Sequence, residues 1–110
     1  FVEQYINNHY QEDITLELLS EKTYMSKFYL VHAFKQYKGV SPINYLIRLR
    51  VQQAKELLET TNYSIAQISD SCGFSSQSYF SQVFKKACGM TPNAYRKSSD
   101  RSKVMVNNIL

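Results

Sequence analysis

Chain breakers are scarce here: 110 residues hold only 3 Gly and 2 Pro, alongside 2 Cys and no Trp. So few interruptions favour helices, whose interiors tolerate neither Gly nor Pro well. Cys72 and Cys88 are too far apart for a CxxC pair and too few for a disulfide framework. Only His9 and His32 could join them, far off in the sequence, so a tetrahedral zinc site is not expected. The cysteines read instead as small apolar fillers near helix ends, kept reduced in the cytoplasm. No run approaches the roughly 18 apolar residues of a membrane span, and no basic-then-apolar leader opens the chain. The first residue is Phe1 rather than Met, which suggests a fragment or a processed product. A Gly-rich phosphate loop, a nucleophile elbow and an acid pair beside a His are all missing, which disfavours an enzyme. No cofactor or metal is expected.

What is present balances as a globular domain, 44% apolar and 20% charged, with 9 Tyr and 6 Phe supplying large buried area. The net charge of +4 is unevenly spread. Residues 1–24 carry Glu3, Glu12, Asp13, Glu17 and Glu21 against Lys22 alone. Every other cation lies in 25–110, opposed by Glu56, Glu59, Asp70 and Asp100. Segments 25–55 and 71–99 contain no acid at all. Such stretches suit a polyanion, most commonly nucleic acid, and charge alone fits a solvated face equally well.

Apolar residues recur at spacings of three and four, and no segment alternates strictly, so the expected class is all-α with seven helices. The first covers Phe1 to Tyr10, with Val2, Tyr5, Ile6 and His9 inward. Asp13 or Thr15 caps the second, which carries Leu16 and Leu19. Ser26 caps the third, whose inner face is Leu30, Ala33, Phe34 and Tyr37, and Gly39 closes it. Ser41-Pro42 opens a long fourth helix running to about Thr60. Ser64 caps the fifth, with Ile65 and Ile68 inward. Ser76 caps the sixth, with Phe80, Val83, Phe84 and Ala87 inward and Gly89 at its end. Thr91-Pro92 opens a short seventh helix through Tyr95 and Arg96, and 98–110 reads as a loose or partly helical tail.

An internal repeat organises these helices. An offset of 50 pairs Ser26 with Ser76, Tyr29 with Tyr79, Phe34 with Phe84, Lys35 with Lys85, Gly39 with Gly89, Pro42 with Pro92 and Tyr45 with Tyr95. Before Tyr24 the offset is 49, pairing Leu16 with Ile65, Leu19 with Ile68 and Ser20 with Ser69. The second copy thus has one extra residue in its turn, placed near Cys72-Gly73. Each copy is a short helix, a tight turn and a longer Ser-capped helix, the helix-turn-helix arrangement whose second helix fits a major groove. The expected division is a first subdomain at 1–40, a linker helix at 41–61, a second subdomain at 62–97 and the tail.

The longer helix of each copy has an outer face left over after core packing. In the first copy it holds Phe28, Val31, His32 and Lys35. In the second it holds Ser78, Ser81, Gln82 and Lys85, with Gln77 at the entry. Phe28 and Val31 are poor solvent residues that suit thymine methyls, although Phe28 fits a second packing surface equally well. His32 can donate to guanine N7 or O6, or to phosphate when protonated. Gln77 and Gln82 match the paired edge of adenine, and Ser78 and Ser81 fit either base contact or solvation. Lys27, Lys35, Lys38, Lys85 and Lys86 are assigned to phosphate, as are the helix N-termini at Ser26, Ser41 and Ser76. Arg50 is a further phosphate candidate.

The string SIAQISDSCGFSSQSYFSQVFKKACGMTPNAYR, supported by RVQQAKELLETT and FKQYKGVSPINYL, resembles the DNA-binding domain of AraC/XylS-family bacterial transcription regulators over about residues 1–97. The resemblance implies sequence-specific binding of double-stranded DNA. It also implies a separate sensing, dimerisation or receiver domain outside this chain, and RNA polymerase as a further candidate partner. Under it Arg50 looks like an arginine that packs and bonds between subdomains, and Arg96 like a structural arginine of the closing TP-x-x-YR motif. Ser20 and Ser69 stand where the family usually has Ala, and read as tolerated packing variants. A fourth helix of about 20 residues would span ~30 Å, close to the ~34 Å between successive major grooves. One chain could then read two unlike half-sites. The rival reading is a helical protein-interaction module that contacts RNA polymerase or a sensor domain. A third reading, alkylation repair through a reactive Cys, lacks the clustered ligands such chemistry needs.

Overall fold

A computed structural model describes the backbone of residues 1–109 and the side chains of residues 1–100. Seven helices and no strand occur among the described residues: α1 (Val2–His9), α2 (Leu16–Thr23), α3 (Lys27–Lys38), α4 (Pro42–Thr60), α5 (Ile65–Ser71), α6 (Gln77–Cys88) and α7 (Pro92–Ile109). They form two compact units, residues 1–50 and 51–110, and the boundary falls inside α4.

Local chemistry sets most of the ends. Thr15 is the cap of α2, accepting from the Leu18 N–H at 3.1 Å; Asp13 is not. Ser26 and Ser76 cap α3 and α6 by accepting from Tyr29 and Tyr79, and Ser64 forms a reciprocal capping box with Gln67. Gly39 and Gly89 close α3 and α6 at φ 83° and 80°, the left-handed region that glycine enters without strain. α7 extends to Ile109, well beyond the expected stop after Arg96, because no Gly or Pro follows Pro92 to end it. Most of the tail expected over 98–110 lies outside the described side chains.

In the first unit Ile6, Ile14, Leu19, Leu30 and Leu46 form the core, flanked by Val2, Tyr5, Tyr10, Leu16, Tyr45 and Leu49. In the second unit Val51, Ala54, Leu58, Ile68, Cys72, Phe74, Phe80 and Phe84 are buried. The repeat reappears as packing. Phe34 meets Tyr45 edge-on with ring centroids 5.6 Å apart, and their counterparts Phe84 and Tyr95 meet edge-on at 5.5 Å. Two inner-face expectations fail at the same register position. Tyr37 is 70% exposed and Ala87 is also exposed, because Phe34 and Phe84 already fill the last inward site before each helix closes.

Candidate nucleic-acid interface

The two turns that aim α3 and α6 differ in their left-handed residue. In the first unit it is Tyr24, at φ 59° and 98% exposed; in the second it is Gly73, at φ 90°. Two steps separate Tyr24 from the cap Ser26, and three separate Gly73 from the cap Ser76. The extra residue of the second copy therefore lies directly after Gly73, near where the sequence placed it. Phe74 follows and turns inward, its ring 4.9 Å from Phe80 and 6.1 Å from Tyr79.

Ser20 and Ser69 have a part in these turns beyond being small. The Ser20 hydroxyl donates to the Met25 carbonyl at 2.5 Å, and the buried Ser69 hydroxyl donates to the Ser76 carbonyl at 3.2 Å. Each ties the short helix to the entry of the longer one. Their identity at matched repeat positions was the available signal.

The outer faces emerge as the spacing implies. Phe28, His32 and Lys35 are exposed on α3, and Val31 is half-buried at the edge of the face. On α6 Gln77, Ser78, Gln82 and Lys85 are exposed, and Ser81 takes the half-buried place of Val31. Phe28 is 74% exposed, so it is not packed on a second surface. Its ring lies against His32, with centroids 4.1 Å apart, and the His32 Nδ1–H donates to the Phe28 carbonyl at 2.9 Å. Each unit thus brings its candidate base-reading residues onto one helix face.

The cations differ between the units. Lys27 bonds to Glu17 at 2.8 Å, which pulls the Glu17 carboxyl below its ordinary value. Lys38 bonds to Glu3 at 2.6 Å, and its ammonium also sits 5.7 and 5.5 Å from the Tyr37 and Tyr45 rings. That hydrogen bond raises Lys38 and lowers Glu3, which also accepts from the Tyr37 hydroxyl. Lys35, Lys85 and Lys86 are exposed, and no described carboxylate pairs with them. Ser26 and Ser76 are exposed at their helix starts, and Ser41 is half-buried, accepting from the Asn44 N–H at 3.2 Å.

Arg50 is occupied within the first unit. Its Nε donates to the Tyr10 carbonyl at 2.7 Å and its Nη2 to the Glu12 carbonyl at 2.8 Å. These bonds hold Nε and Nη2 on carbonyls of the first unit and count against the phosphate contact expected of Arg50. Arg96 makes the matching grip in the second unit, donating to the Leu58 and Thr61 carbonyls at 3.2 and 3.3 Å. Tyr45 and Tyr95 extend the parallel, their hydroxyls donating to Asn7 at 2.6 Å and Glu59 at 2.9 Å. Burial, then the Glu59 contact, pushes the Tyr95 phenol up to about 12. The end of α4 thus does for the second unit what α1 does for the first.

No helix among the described residues is long and apolar enough to cross a membrane. No cluster of metal-binding side chains occurs among them either.

Comparison with known proteins gives a consistent result. Residues 19–98 match the family model described as a helix-turn-helix domain. An uncharacterised HTH-type transcriptional regulator of Escherichia coli, YdiP, is 41% identical over 93 residues, covering 84% of this chain and 31% of its own length. The bifunctional transcriptional activator/DNA repair enzyme AdaA of Bacillus subtilis is 34% identical over 98 residues, 89% of this chain and 46% of its own. The chain spans about a third of the length of the first curated relatives it matches. Among solved structures, the DNA-binding domain of AdpA in complex with a target DNA superposes with a TM-score of 0.84 at 34% identity, covering 88% of this chain and 87% of that one. A probable AraC family transcriptional regulator from Rhodopseudomonas palustris gives a TM-score of 0.76 at 30% identity, covering 89% and 93%. With the duplicated turns and closing arginines in place, these matches show that the chain belongs to the AraC/XylS-type helix-turn-helix family.

Proposed function

We propose that this chain binds double-stranded DNA sequence-specifically as the DNA-binding part of a bacterial transcription regulator, with α3 and α6 as its two reading helices. The observation that carries this is the pair of exposed outer faces, each bearing hydrogen-bonding side chains at groove-reading spacing on a helix held by a tight turn. Phe28, Val31, His32, Gln77, Ser78, Ser81 and Gln82 are assigned to base edges. Ser26, Lys27, Lys35, Lys38, Ser41, Ser76, Lys85 and Lys86 are assigned to the backbone, where they supply affinity without sequence choice. Lys27 and Lys38 must first leave Glu17 and Glu3, so Lys35, Lys85 and Lys86 contribute more. The faces differ in residue type, so the two half-sites differ in sequence.

The greater length of the relatives supports a sensing, dimerisation or receiver domain elsewhere in the same protein, and a cytoplasmic site of action goes with that role. Contact with RNA polymerase belongs to the same reading. Repair chemistry does not: Cys72 is buried in the core and Cys88 is half-buried.

Selection from a random duplex library at moderate salt tests the proposal. Enrichment of two unlike half-sites is expected, with Gln82→Ala relaxing one position by ~1–3 kcal/mol and Lys85→Ala weakening all sequences alike. An unenriched pool, or a uniform loss from Gln82→Ala, would remove the base-reading assignment. Binding that ignores salt would favour a protein-interaction module instead.

A further inference from the structure

We propose that the neutral ring of His32 reads DNA as a hydrogen-bond acceptor and the protonated ring as a donor, so that the proton on this ring sets the base preference of the first half-site. The inference rests on α3 being the reading helix of the first unit.

The tautomer follows from the partner. His32 Nδ1 lies 2.9 Å from the Phe28 carbonyl oxygen, an atom that can only accept, so Nδ1 carries the hydrogen of that bond. A neutral imidazole has one N–H, which leaves Nε2 bare with its lone pair available. Nε2 is one of the two ring atoms farthest from the backbone, and His32 is exposed. The ring is also held in place, tilted by 31° against Phe28 one turn earlier with centroids 4.1 Å apart. In the major groove the hydrogens that Nε2 can accept are those of adenine N6 and cytosine N4, while guanine offers acceptors only. The neutral ring therefore selects A or C, opposite to the guanine preference expected of an imidazole that donates. Protonation gives Nε2 a hydrogen, which cytosine N4 cannot accept and which guanine N7 or O6, thymine O4 and adenine N7 can. Phe28 beside it suits the methyl of a neighbouring thymine.

The charges around α3 leave the imidazole without a carboxylate partner of its own. Glu17 of α2 is bonded to Lys27, and Glu3 of α1 is bonded to Lys38 and Tyr37. On α4 the Arg50 guanidinium is bonded to the Tyr10 and Glu12 carbonyls, and the Tyr45 hydroxyl to Asn7. On α3 itself Lys35 follows one turn later. In the second unit Ser78 and Gln82 hold the matching positions and do not titrate, so the second half-site is an internal control.

Two measurements decide this. The first is a long-range 1H–15N spectrum of the free protein near pH ~8, assigned with a His9→Gln variant because the chain has 2 His. Protonation on Nδ1 of His32 is expected, and protonation on Nε2 overturns the inference without touching the base-reading assignment. The second is duplex selection at pH ~8 and pH ~5.5 for the wild type and His32→Ala. One position of the first half-site should favour A or C on the order of tenfold at the higher pH, exclude C and admit G or T at the lower, and lose both preferences in the variant. Guanine at both pH values overturns the inference and keeps the base contact. Unchanged preferences in His32→Ala remove the base contact and the inference together. Loss of both half-sites in step at low pH counts against the switch.

Discussion

Replacing Arg50 with Met keeps the aliphatic stem and deletes two hydrogen bonds, so it isolates what the guanidinium does. The Nε bond to Tyr10, part-buried at 2.7 Å, belongs with charge-assisted bonds worth about 1.5–3 kcal/mol. The Nη2 bond to Glu12 is exposed, and about 1 kcal/mol is a fair value there. The expected loss is therefore about 2.5–4 kcal/mol. A unit of this size has stability on the order of 3–7 kcal/mol at ordinary densities per residue, so the first unit should lose much of its margin. Urea unfolding followed by amide exchange of the two units separately would register this as earlier opening of residues 1–50. Arg50→Lys should recover less than half the loss, because an ammonium cannot reach both carbonyls with the fork geometry. The reasoning is refuted if Arg50→Met moves the midpoint by less than about 0.5 kcal/mol while weakening every DNA sequence equally. That outcome would return Arg50 to phosphate.

Ser69→Ala should cost about 1 kcal/mol by removing one of the two donors to the Ser76 carbonyl, which keeps the Phe80 N–H, and Ser20→Ala less because that site is more exposed; thermal unfolding measures both, and a gain in stability from either would contradict the role as a clasp. The Tyr95 phenol, raised to about 12, keeps the folded state favoured up to pH ~10, where an unfolded tyrosine begins to ionise; stability should then fall between pH ~10 and ~12. Denaturation midpoints across that window should show the slope, and Tyr95→Phe should remove its share. Glu3 titrates below its ordinary value, so the bond to Lys38 holds at neutral pH and is lost as pH falls through the lowered value. A pH titration of Glu3→Gln by circular dichroism should lack that acid-side change.

Much of this fold was legible in the sequence because the signals are local. Ser26, Ser64 and Ser76 stand where caps must, and Gly39 and Gly89 where left-handed closures must. Spacing separated Phe34 and Phe84 from the face of Phe28 and Gln82, but left open a second packing surface for Phe28, which its exposure excludes. What escaped depends on tertiary neighbours. The carboxylate partners of Lys27 and Lys38 were hidden because they lie 10 and 35 positions away. Arg50 reaches back 40 residues to a carbonyl that carries no sequence signature. Nothing in the pairing of Tyr24 with its repeat position announced that a tyrosine would take the left-handed place of Gly73. The stop of α7 was misplaced because polar composition suggests a loop, whereas only a breaker or a cap ends a helix.

The lysine pairs of the first unit carry a thermodynamic consequence for ionic strength. A cation that already has a carboxylate at 2.8 or 2.6 Å brings its own counterion to the encounter. When it moves to a phosphate it exchanges one anion for another, and the carboxylate left behind recruits a small cation from solution. That uptake cancels part of the ion release that drives association. No described carboxylate pairs with Lys85 or Lys86, so as phosphate ligands they would contribute their full share to the salt exponent. On the proposed reading the two halves of one binding event would answer differently to the medium: as salt rises, attachment through the second unit would weaken first, and the first unit, with its charge partly self-neutralised, would rely more on contacts to base edges.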